Sequence, residues 1–154
     1  MASGPRLIIV CGLPGAGKTT LAKQLEQRFD AVRLSADDWM TALAIDLWDE
    51  QKRGRIESLQ WTIAQQLLTH GRIVIIEWGT WGRSERDTLR IRARELGAAV
   101  ELRYVEAPID VLFERLQRRG AEAPPITREQ LVRFATLLMV PSDDEMILYD
   151  QPAE

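Results

Sequence analysis

The chain has 154 residues, 45% of them hydrophobic and 28% charged, with a net charge of −3 at neutral pH. That balance suits one folded domain over residues 1–154 and excludes a largely disordered chain, and it supplies no global positive field for gripping a polyanion. No run of about 18 apolar residues is present to cross a bilayer, the Met1–Arg6 stretch is too short and polar for a secretory leader, and a lone Cys11 excludes both an internal disulfide and a multi-cysteine metal cage, so a cytoplasmic protein without a membrane partner is expected.

Taken in chain order, short apolar runs alternate with longer helical periodicities, the pattern of an α/β layer fold with a mostly parallel sheet. Leu7–Cys11 is an unbroken apolar strand ending at a glycine. Lys18–Phe29 has Leu21, Leu25 and Phe29 at helical spacing, and Val32–Ser35 reads as a second short strand. Ser35 or Asp37 is placed to cap a helix running toward Ala44. A helix is expected from Glu57 to His70, with Leu59, Ile63 and Leu67 on its inner side and Gly71 as its stop. Ile73–Glu77 is the most hydrophobic segment and reads as a central strand. An arginine-rich helix then runs from Ser84 to Glu95, a strand from Ala99 to Val105 and a helix from Ile109 to Arg119. Pro124-Pro125 breaks the chain before a helix capped near Thr127, and Met146-Ile147-Leu148 is expected as a last edge strand.

Gly12-Leu13-Pro14-Gly15-Ala16-Gly17-Lys18-Thr19 matches the phosphate-loop pattern G-x-x-x-x-G-K-[ST] at every fixed position, between a strand and a helix as the pattern demands. The glycines let successive backbone N–H groups turn inward around a phosphate, and the helix that follows adds its positive dipole end. Lys18 reaches for the β- and γ-phosphates, the Thr19 hydroxyl for Mg²⁺ and Thr20 for the α-phosphate. ATP and Mg²⁺ are therefore the expected cofactors. The chain contains no asparagine, so the Asn-Lys-x-Asp motif by which GTPases read guanine is excluded. Where ring-forming ATPases carry an Asp-Glu pair, this chain has Glu77-Trp78. A small kinase remains.

With these residues in place the chain resembles the P-loop kinases that include chloramphenicol phosphotransferase, zeta-toxin kinases and the kinase domain of polynucleotide kinase. The resemblance runs through nearly the whole chain and implies a three-layer αβα P-loop fold with a five-stranded parallel sheet in the order 2-3-1-4-5. In Ser35-Ala36-Asp37-Asp38-Trp39 it makes Asp37 the residue that accepts the proton of the acceptor hydroxyl, with Asp38 in support. Glu77, at a position more often aspartate, is assigned to Mg²⁺, with a substrate contact as the rival role. Residues 114–126 resemble a lid whose Arg115, Arg118 and Arg119 close over the transferring phosphoryl group; a solvated helix end is the plainer alternative.

Trp39, Trp78 and Trp81 flank these acidic groups and are expected to wall an acceptor pocket, with Arg83 as a contact to an anionic acceptor; packing alone is the alternative for the tryptophans. Trp61 is expected in the core, Cys11 as a buried packing residue and His70 at a surface or helix end. The expected reaction is in-line transfer of a γ-phosphate to a hydroxyl of a small molecule. A nucleic-acid 5′-hydroxyl is possible but not favoured as acceptor, a switch or ATPase without acceptor is the other alternative, and the chain is expected as a monomer or homodimer.

Overall fold

The computed structural model describes residues 4–154. Leu7, Ile8, Ile9, Val10 and Cys11 are all fully buried, as an uninterrupted apolar run requires of a strand covered on both faces. They form β1 (Arg6–Cys11), which pairs in parallel with β3 (Ile73–Gly79) on one side and β4 (Ala99–Tyr104) on the other. The short β2 (Val32–Leu34) pairs in parallel with β3, giving the order β2-β3-β1-β4. Side chains alternate across the sheet. Ile8, Val10 and Ile75 meet Ala22 and Leu25 of α1 (Lys18–Phe29) on one face. Leu7, Ile9 and Ile76 meet, on the other face, Ala64 and Leu68 of α3 (Glu50–Thr69) and Leu89 and Ala93 of α4 (Arg83–Glu95).

Because every pairing is parallel, all strands end at one edge of the sheet, where ligands bind in such folds. That edge carries the loop after β1, the start of α2 (Ala36–Ala42) after β2 and residues 77–81 at the end of β3. Over it lie α5 (Ile109–Arg119) and α6 (Arg128–Leu137), the latter opened by a reciprocal capping box of Thr127 and Gln130.

Among the described residues the sheet has four strands, not the five expected. The segment expected as the fifth strand is instead α7 (Asp143–Met146), followed by an Ile147 that is 79% exposed. Ser142 accepts from the Glu145 N–H, and three acidic residues in the first turn complement the helix dipole, so local capping outweighs a three-residue apolar run. The free edge of β4 is closed by Asp150, whose N–H donates to Val100 O at 2.8 Å and whose carboxylate accepts from Val100 N at 2.7 Å.

The helix expected from Glu57 begins at Glu50, capped by Asp49, and its buried face is Ile56, Gln60, Ala64 and Leu68 rather than the face of Leu59, Ile63 and Leu67. Leu59 is 55% exposed, whereas Gln60 is fully buried. Gln60 is accommodated because its amide donates to Ser35 O at 3.0 Å and accepts from the Trp78 indole N–H at 2.7 Å.

Candidate active site

The loop between β1 and α1 owes its shape to close approach as well as to backbone angle. A Cβ on Gly12 would stand 2.5 Å from Val105 O, and Gly17, which opens α1, has φ of 105°. Lys18 folds over this loop, donating to Gly12 O at 2.9 Å and Leu13 O at 3.0 Å. Burial lowers its ammonium to about 8, and Arg119 adds to this against the opposing charges of Asp37 and Glu77. Lys18, Thr19 and Thr20 all line a cavity of about 850 Å³ at the strand ends, together with Pro14, Gly15 and Gly17. Gly12, Leu13 and Ala16 lie behind it and are buried, shaping the loop from beneath.

Asp37 and Asp38 open α2 and line the same cavity. Ser35 caps that helix, accepting from Asp38 N at 3.2 Å, so Asp37 is not engaged as the cap. The Asp37 carboxylate, half exposed, instead accepts from Arg53 Nη1 at 2.5 Å. Arg33 bridges the other acids, donating to Asp38 and Glu77 at 2.5 Å each. Glu77 keeps its second oxygen, Oε2, enclosed and without a partner among the described residues, and burial raises its carboxyl against the pull of Arg33. An orphaned carboxylate oxygen in a cavity also lined by Thr19 suits a hard cation such as Mg²⁺. No cluster of three or more potential protein ligands occurs among the described residues, so such an ion would complete its shell from phosphate and water.

Of the expected lid arginines, Arg115 and Arg119 line the cavity one helical turn apart, Arg115 donating to Gly15 O at 3.1 Å and Arg119 to Glu122 at 2.7 Å. Arg118 points away, pairs with Glu114 and has a side chain 76% exposed.

Trp78 and Trp81 wall the cavity; Trp39 does not, and packs instead against the core. Trp81 is held by its indole N–H on Gly12 O at 3.2 Å and by Phe134, 5.2 Å between ring centroids. Arg83 lies outside the lining and faces Asp87 at 3.6 Å. Cys11 and Trp61 pack in the core, and exposed His70 sits at the end of α3 with Nδ1 2.7 Å from Gln66 O.

Sequence reasoning missed Arg33, Trp48, Arg53, Glu57, Thr80 and Glu85, all at or beside this cavity. Trp48 donates from its indole to Pro124 O at 2.7 Å and so ties the α2–α3 connection to the lid. The signal for Arg53 and Glu57 was their i, i+4 spacing with Gln60 one turn further, hidden by starting the helix seven residues late.

Residues 7–140 match the family model described as an AAA domain. Shikimate kinase of Rhodopseudomonas palustris is 27% identical over 123 residues, which cover 77% of this chain and 58% of that protein. Gluconokinase of Arabidopsis thaliana is 26% identical over 130 residues, covering 76% of this chain and 68% of that protein. The chain thus spans less than two thirds of that shikimate kinase. In solved structures, a chain of the Pnkp1/Rnl/Hen1 RNA repair complex superposes with a TM-score of 0.72 at 24% identity, over 96% of this chain and 47% of that one. At that identity the likeness speaks for the fold.

Proposed function

This chain belongs to the AAA-domain family, and on that premise we propose that it is an ATP-dependent kinase that phosphorylates a hydroxyl of a small molecule. The observation that carries the reading is one cavity lined at once by the phosphate loop with Lys18, a carboxylate at Asp37 and two lid arginines, Arg115 and Arg119. Relatives named as shikimate and gluconate kinases support this acceptor class. Glu77, near the end of β3, and the Thr19 hydroxyl would hold Mg²⁺, which would supply neutralisation of the phosphate charge when bound.

The triphosphate lies along the loop N–H groups, and Lys18 leaves its carbonyl partners for phosphate oxygens. The acceptor oxygen attacks the γ-phosphorus in line, the bond to the β–γ bridging oxygen breaks and ADP leaves with that electron pair. The hydroxyl proton passes to Asp37, whose charge is held in place by Arg53. Arg115 and Arg119 meet the charge spread over the transferring group. The lid, tied to the opposite wall through Trp48, excludes water that would otherwise take the phosphate.

The lining speaks against a nucleic-acid acceptor. Beyond the phosphate end the cavity carries Asp37, Asp38, Glu50, Glu57 and Glu85 against the single cation Arg53, the wrong sign for a polyanion. Incubation with ATP, Mg²⁺ and a panel of hydroxylated metabolites and antibiotics, read by mass spectrometry, tests the reading. A product heavier by one phosphate is expected from the native chain, and Asp37→Asn should lower its rate by about 10²-fold or more while nucleotide still binds. Equal rates for the two proteins would remove Asp37 from the chemistry.

A further inference from the structure

The half of the cavity away from the phosphate loop has a charge pattern that phosphoryl transfer leaves unused. Arg53, Glu57 and Gln60 project from one face of α3. Arg53 is engaged by Asp37 at 2.5 Å and by Leu47 O at 2.8 Å, and Gln60 by Ser35 and Trp78. Glu57, between them, lines the cavity and has no hydrogen-bond or ion-pair partner among the described residues. Glu85, in the first turn of α4, lines the same space and likewise has none. The two carboxylates repel each other. Burial, followed by the charge of Glu85, pushes the Glu57 carboxyl up to about 7, and partial desolvation of the otherwise exposed Glu85 raises its carboxyl against the pull of Arg86. The charged groups acting on Glu57 are Glu85 of α4, Arg53 and Glu50 of α3, and Asp37 of α2.

A second observation concerns Thr80, only 2% exposed, which lines the cavity with an enclosed hydroxyl that has no partner among the described residues. A buried hydroxyl without a hydrogen bond is costly, and a ligand hydroxyl or amine would satisfy it. Beside it the faces of Trp78 and Trp81 offer surfaces that suit a ring or a cationic group.

We propose that this half of the cavity takes a compact, hydroxylated acceptor bearing a protonated amine, with the amine between Glu57 and Glu85 and the carbon skeleton against Trp78 and Trp81. The class of acceptor rests on the kinase reading; the charge preference of the subsite does not. An anionic acceptor would meet two unpaired carboxylates here, and the nearby cations, Arg53 and Arg86, are already held by Asp37 and Glu145. A neutral sugar would leave both carboxylates without a counter-charge.

Calorimetric titration of the full chain, saturated with Mg²⁺ and a non-hydrolysable ATP analogue, tests the subsite with three probes matched in size: 1-amino-1-deoxyglucitol, whose amine stays protonated at pH 8, glucitol and gluconate. The amine is expected to bind about tenfold tighter than either of the others at pH 8, and to lose most of that advantage at pH 6 as Glu57 protonates. The isosteric Glu57→Gln/Glu85→Gln double variant should erase the preference, and its affinity for the ATP analogue reports that the phosphate loop remains formed. Binding of gluconate or glucitol as tight as the amine, no binding of any of the three, or a preference that survives the double substitution would overturn the proposal. Incubation of the same probes and of larger amine-bearing, neutral and acidic alcohols with ATP separates the two claims. An amine preference in binding with no phosphorylated product refutes the kinase reading and leaves the subsite standing, whereas products confined to neutral or acidic alcohols refute the subsite and keep the kinase.

Discussion

Lys18 rests on the carbonyls of its own loop, Gly12 O and Leu13 O, with burial holding its ammonium at about 8. A bound triphosphate favours the charged form, so binding must take up a proton once the free protein has lost it. ATP affinity should therefore weaken as pH rises above 8, approaching about tenfold per pH unit, with proton uptake visible as a buffer-dependent binding enthalpy. Constant affinity from pH 7 to 9.5 would contradict this. Glu57 acts on stability rather than on ATP affinity. Its folded carboxyl sits at about 7 against an ordinary 4.5, so the folded chain binds an extra proton between these values and stability falls as pH rises through that window. Glu57→Gln removes that loss and should stabilise the protein at pH 8 by about 1 kcal/mol after allowance for solvent screening, with little change at pH 4.5. Thermal melts of the two proteins at both pH values check it.

Among the elements, α7 shows how a local signal can be misread and then anchored by a distant one. Arg86 of α4 is fully buried and forms a two-pronged pair with Glu145, at 2.7 and 2.8 Å. Its remaining N–H groups reach Thr80 O, Trp81 O and Met139 O, so one guanidinium fastens α7, the segment before it and the cavity wall at residues 80–81. Arg86→Met leaves the Glu145 charge buried and unpaired, and should cost about 3–5 kcal/mol in urea denaturation. Nothing in the sequence distinguishes Arg86 from its neighbours Arg83 and Arg90 on the same helix, because burial of an arginine is decided by a carboxylate 59 residues away. The strands β1 and β3 and the phosphate loop were legible because their patterns are contiguous and each residue's type is dictated locally. The outer face of α3 was misassigned for the reverse reason. Gln60 sits on the core side only because Ser35 and Trp78 meet its amide, while the more apolar Leu59 faces water. Within the site, Lys18 was visible from its motif and Asp37, Arg115 and Arg119 from the resemblance to P-loop kinases, whereas Glu57, Glu85 and Arg53 come together only through the packing of α2, α3 and α4 around the end of β3.

At the scale of the whole molecule, a parallel sheet delivers every functional group to one edge, and α5 with α6 covers it. The cavity is therefore one space with a phosphate end rich in backbone N–H groups and cations and a far end rich in carboxylates. On the proposed kinase reading, that polarity would orient two substrates head to tail and favour transfer between them over hydrolysis of one. The most direct test is the fate of the γ-phosphate when the native chain turns over ATP in heavy-oxygen water with an acceptor panel present. The account predicts a phosphoester of one panel compound carrying no heavy oxygen from the solvent in its phosphate, formed far faster than labelled inorganic phosphate and abolished by Asp37→Asn. Release of solvent-labelled inorganic phosphate alone, at a rate indifferent to every acceptor and to Asp37→Asn, would contradict it.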